Sequence, residues 1–86
     1  MRLKKGFVLR NVAGETIVVP TGSDLDLNMM ITLNDSGKFL WEKLEHGAEE
    51  AELVAALLEE YDVTPDMASA HVAAFVRKLS DHGFLA

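Results

Sequence analysis

The distribution of apolar positions changes character near Asn34. Before it, β-branched residues, Gly and Pro dominate and no helical period is present. After it, apolar residues recur at helical spacing almost to the end of the chain. The first part predicts strands at about residues 7–12, 16–20 and 29–33. Gly14, in the short stretch Ala13-Gly14-Glu15, can take the positive φ of a tight hairpin between the first two, and Pro20, which has no N–H, belongs at a strand end. In the third strand Met29, Ile31 and Leu33 share one face, and Met30 and Thr32 the other. The second part predicts helices at about residues 35–46, 49–61 and 65–82. Asn34 is an N-cap for the first and Thr64 for the last, where Pro65 takes the first helical position; Gly47 and Gly83 are left-handed stops. Phe39, Leu40, Trp41 and Leu44 form the apolar side of the first helix. Leu53, Val54, Leu57 and Leu58 do so in the second, and Ala68, Val72, Phe75, Val76 and Leu79 in the third, after which Phe84 and Leu85 can fold back onto the core.

Strands followed by helices, with no alternation between them, indicate an α+β layout and not a parallel βαβ unit. At 86 residues and 49% hydrophobic, residues 1–86 make one domain able to close a core without staples. Cysteine is absent, which removes disulfides, thiolate metal sites and a cysteine nucleophile. No secretory signal or membrane-spanning run is visible, so a cytoplasmic location is expected.

A small sheet beside three helices resembles a winged helix-turn-helix, so DNA is a reading to be weighed. Fourteen acidic residues against eight basic leave a net charge of −6. The stretch from Glu42 to Asp66 holds nine acidic residues and only Lys43 as a base, and the start of the last helix would turn carboxylates toward phosphates. The charge therefore opposes nucleic acid as a partner.

Chemistry-bearing motifs are few. Asp24-Leu25-Asp26-Leu27-Asn28 opens like a calcium loop but lacks the glycine at position six and the glutamate at position twelve. His71 and His82 would stand roughly 16 Å apart along one helix, too far to share a metal. His46 and His82 precede Gly47 and Gly83, where a cation suits a helix C-terminus. No nucleophile elbow, phosphate-cradling loop or zinc spacing occurs. The expectation is a non-enzymatic chain with no cofactor or metal.

The third strand offers a different kind of site. Asn28 to Leu33 carry no charge and no proline, the devices that usually protect a sheet edge. If the strand lies at the edge, its free N–H and C=O groups can template an added strand, with the methionines as an adaptable lining; the alternative is that it is central or covered by the last helix. On that helix Met67, His71, Ala74 and Lys78 fall on one flank, where Ala74 leaves room and His71 and Lys78 bring positive character. An acidic amphipathic peptide would fit between flank and strand, or the flank is simply solvated. The edge could equally pair two copies of the chain in a homodimer.

The order of landmarks resembles the PqqD family, small peptide chaperones of pyrroloquinoline quinone (PQQ) biosynthesis and the related precursor-peptide recognition elements of ribosomally synthesised, post-translationally modified peptides (RiPPs). The residues that carry the resemblance are the opening hairpin and Ile31-Thr32-Leu33-Asn34-Asp35-Ser36-Gly37-Lys38-Phe39-Leu40-Trp41. They continue with Gly47-Ala48-Glu49-Glu50, Leu57, Tyr61-Asp62-Val63, then Val72, Phe75 and Leu79 ahead of Gly83-Phe84-Leu85. The resemblance implies a winged-helix-like fold with a three-stranded antiparallel sheet and a three-helix bundle. It implies that the leader segment of a precursor peptide adds to the third strand and enters the groove beside the third helix. Carried over, the peptide-binding residues are Met29, Met30, Ile31, Thr32 and Leu33 with His71, Ala74 and Lys78. The resemblance also implies a radical S-adenosylmethionine enzyme or another maturase as partner. This sequence has no iron–sulfur motif, so such peptide-modifying chemistry would belong to that partner.

Overall fold

A computed structural model describes residues 1–21 and 30–86; the acidic connection Asp24–Asn28 and Met29 lie outside the described residues. Strands β1 (Phe7–Val12), β2 (Glu15–Pro20) and β3 (Ile31–Leu33) precede helices α1 (Asp35–Glu45), α2 (Glu50–Glu60) and α3 (Pro65–Asp81). The sheet is antiparallel in the order β1-β2-β3. The expected α+β, winged-helix-like arrangement of three strands followed by three helices is the one found.

Local chemistry accounts for the element ends. The β1–β2 hairpin closes on two residues, because Val12 pairs directly with Glu15. Ala13 and Gly14 both have positive φ, 53° and 83°, as a turn matched to the strand twist requires. Asn34 caps α1 by accepting the Gly37 N–H at 2.8 Å. Glu49, expected inside the second helix, is instead its cap: its carboxylate and that of Glu52 form a reciprocal capping box. Thr64 caps α3 by accepting the Met67 N–H, and Pro65 follows at the first position. Gly47 and Gly83 take positive φ after the cap residues His46 and His82, and His82 Nδ1 lies 2.9 Å from the Lys78 carbonyl.

The core lies between one face of the sheet and the three helices. Val18, Ile31 and Leu33 meet Leu40, Trp41, Leu44, Leu53, Leu57, Val72 and Leu79 there. Phe84 folds back as expected and is fully buried, edge-on to Phe7 at 4.7 Å and to Trp41 at 5.7 Å. A bridge between Leu3 and Leu85, with the Lys4 N–H donating to the Phe84 carbonyl at 2.8 Å, ties the two ends of the chain together.

Two expectations are corrected. Leu58 is 38% exposed; it stands about 140° around the helix from Leu53, outside the side that Leu53 and Leu57 bury. The third strand begins at Ile31, so Met30 precedes it. The register pairs Val18 with Ile31, and extending it would set Met30 against Val19 and bring the ladder next to Pro20, which has no N–H to give. Among the described residues, no helix is long and apolar enough to cross a membrane.

Candidate functional site

β3 has β2 on one side and, among the described residues, no strand on the other. Ile31 and Leu33 are buried in the core and Thr32 is exposed, the alternation a half-covered strand requires. An antiparallel ladder takes the backbone groups of alternate residues, so within Ile31–Leu33 at least one N–H and one C=O point away from β2. Among the described residues that edge is unprotected, and it is short and without charge.

Beside it lies a cavity of about 620 Å³. Thr32 and Leu33 line it from β3, and His71, Ala74 and Lys78 from α3. The capping of α3 by Thr64-Pro65 and the burial of Ala68, Val72, Phe75 and Leu79 fix the rotation of the helix, which leaves these three side chains on its exposed flank. Five expected site residues therefore meet in one groove. Ile31 contributes its backbone to the edge, while its side chain enters the core. Met30 is half-buried just before the strand and does not line the cavity; Met29 lies outside the described residues.

Other lining residues were not anticipated. Glu15 and Thr16 arrive because Thr16 pairs with Leu33, a long-range register with no local signature. Asn34 and Asp35 line the groove from the start of α1, and Phe75, 8% exposed, lines it from α3. The charge is thus mixed: Glu15 and Asp35 stand among the lining residues with Lys78 and His71.

A second cavity of about 440 Å³ adjoins the first and shares Asn34, Asp35 and His71 with it. Leu57, Tyr61, Val63, Met67 and Ala68 make it mainly apolar. Tyr61 is held edge-on to Phe39 at 5.7 Å. At the boundary, Ser36 Oγ lies 2.9 Å from His71 Nε2 and 3.1 Å from Asn34 Oδ1. Asn34 Oδ1 can only accept, so Ser36 donates to it and accepts from the protonated Nε2 of His71. The chain runs His71 to Ser36 to Asn34, and Asn34 also receives the Gly37 N–H.

The sequence matches the family described as coenzyme PQQ synthesis protein D (PqqD) over residues 9–85. Two solved structures share the fold. One is TbiB1 in complex with the TbiA(beta) leader peptide, with a TM-score of 0.77 and 22% identity, covering 99% of this chain and 94% of that one. The other is lasso peptide synthetase B1 complexed with the leader peptide, with a TM-score of 0.74 and 23% identity, covering 96% of this chain and 93% of that one. A search of curated proteins returned no match.

Proposed function

This chain belongs to the PqqD family, and from that premise we propose that it binds the leader segment of a ribosomally made precursor peptide and presents it to a modifying enzyme. The leader adds as a strand to the free edge of β3, and its side chains enter the groove walled by His71, Ala74 and Lys78. The observation that carries the reading is the coincidence of an edge strand, with no second strand partner among the described residues, and an open cavity along the neighbouring helix. Main-chain hydrogen bonds to β3 supply affinity and the groove supplies selectivity. Both similar structures are complexes with leader peptides, which supports the same use here.

On this reading the chain performs no chemistry itself. The bond-making step belongs to the partner, a radical S-adenosylmethionine enzyme or another maturase. The whole of residues 1–86 acts as one recognition module.

The test is a two-dimensional amide titration of the isotope-labelled chain with synthetic peptides encoded by short reading frames beside its own gene. Shifts concentrated at residues 30–33 and 71–78 are expected. Saturable binding that leaves those amides unmoved would remove the proposal. The same edge could instead pair two copies of the chain. A sedimentation series with and without peptide separates the cases, since a dimer built on β3 dissociates when a leader takes the edge.

A further inference from the structure

We infer that the outward face of α2, the one opposite the core, docks an apolar helix flanked by lysine or arginine on the modifying enzyme. The leader-presenting reading supplies this occupant, and the surface itself rests on three observations.

The first is an apolar seam where a surface helix is ordinarily polar. Leu53 and Leu57 turn one side of α2 into the core. Ala55 stands about 180° around the helix from the midpoint of those two, with Ala51 and Leu58 about 40–60° to one side of it. All three are exposed, Leu58 at 38%. Val54, half-buried, extends the seam toward the core side. The helix is thus apolar on two opposite sides, and a helix of that kind is ordinarily covered on both. α1 differs, since its exposed positions include Lys38, Glu42, Lys43 and Glu45.

The second is charge placed against the helix. From Ala48 to Ala70 every charged residue is acidic. Glu52 and Glu59 border the seam on the side away from Leu58, about 40–60° past Ala55. Glu52 serves the N-terminus, where its carboxylate accepts the Glu49 N–H at 3.1 Å. Glu59 and Glu60 instead sit in the last turn, which holds no basic residue, and Asp62 follows. Carboxylates at that end oppose the helix dipole and cost stability. Among the described residues none of Glu59, Glu60 and Asp62 has a cationic partner. A local rule broken without compensation inside the fold points to a functional surface. Lysine or arginine on a docked helix supplies the missing countercharge.

The third is what the surface excludes and what it leaves open. Two copies paired through this face would set Glu52 and Glu59 of one against the same residues of the other, whichever way the helices run. Like charges brought together across an interface oppose that pairing. None of Ala51, Glu52, Ala55, Leu58 and Glu59 lines either cavity, so the chain can hold a leader at β3 and the enzyme at α2 at the same time. Each bound partner then raises the local concentration of the other.

The test uses the full chain, the purified maturase encoded beside its gene and the synthetic leader from the neighbouring reading frame. Ala55→Lys and Glu59→Lys are both expected to fold, because lysine is a good helix former and a cation suits the last turn of α2. Each lowers enzyme affinity roughly tenfold or more at low salt. The Glu59→Lys difference shrinks as salt is raised. Leader affinity stays as in the natural chain. Cross-saturation from unlabelled enzyme to the deuterated chain falls on the amides of residues 51–59. Enzyme that binds both variants as it binds the natural chain, or that does not bind the natural chain, overturns this inference and leaves leader binding standing. A natural chain that sediments as a dimer and is dissociated by Ala55→Lys assigns the face to a second copy, which also overturns it. Enzyme docking at residues 51–59 of a chain that takes up no leader keeps this surface and overturns the leader reading.

Discussion

Ser36 Oγ on α1 and His71 Nε2 on α3 meet at 2.9 Å, at the boundary between the two cavities. The contact joins the start of α1, whose cap follows directly on β3, to the helix flank that forms the opposite wall. His71 is exposed and Ser36 half-buried, and the bond itself is open to solvent, so it holds the geometry of the groove more than it holds the fold. His71→Ala is expected to lower stability by no more than about 0.5–1.5 kcal/mol. Peptide affinity should fall by a larger factor than that of an Ala substitution elsewhere on the exposed face of α3, such as Ser69→Ala. Urea unfolding and calorimetric titration on the same samples check both.

Strand addition makes the backbone of β3 the main contact. Ile31→Pro removes an N–H and bends a three-residue strand, and is expected to abolish leader binding. Ile31→Val keeps the backbone, costs about 0.5–1.5 kcal/mol of stability and should bind nearly normally. Because Ile31 is also a core residue, the experiment is paired with an N-methylated peptide and the unaltered chain. Loss of binding on methylation at alternate peptide positions, and only there, is the expected pattern.

Lys78 is the fixed cation of the groove, opposed by Glu15 and Asp35 among the lining residues. Lys78→Glu is expected to weaken an acidic peptide at low ionic strength, and the difference should shrink as salt is raised. Affinity that does not change at low salt would place the acidic part of the peptide elsewhere.

The hairpin holds a residue that is poorly suited to its conformation. Ala13 has φ of 53° ahead of Gly14, and left-handed backbone disfavours residues with a Cβ, asparagine least. Ala13→Asn creates the Asn-Gly pair this turn favours and is expected to stabilise the chain by about 0.5–1 kcal/mol. Ala13 does not line either cavity, so binding should be unaffected. A lower urea midpoint for the variant would contradict the assignment of strain.

What could be read from the sequence was what local chemistry determines. Asn34, Thr64-Pro65, Gly47 and Gly83 mark helix ends because each satisfies or ends a backbone pattern within a few residues, and the structure uses them so. The three α3 residues of the groove were legible because helical periodicity separates the buried side of Val72 and Phe75 from the flank of His71, Ala74 and Lys78. Residues 15 and 16 were not, since only the pairing of Thr16 with Leu33 brings them there. The early end of the β3 ladder and the Leu3–Leu85 bridge depend in the same way on which distant strands come together. Leu58 misled because an apolar residue next to a helix stripe looks the same in sequence whether the neighbouring element covers it or not. The second cavity gathers residues from the start of α1, the end of α2 and the start of α3, and no single stretch announces it.

Amide hydrogen exchange within Ile31–Leu33, measured with and without a saturating leader peptide, bears most directly on the central claim. An N–H that points from β3 into the open edge should exchange freely in the chain alone and become strongly protected in the complex, with protection lost when the peptide is N-methylated at the facing position. A tight complex in which every amide of β3 exchanges as it does in the free chain would show that the peptide binds somewhere other than this edge.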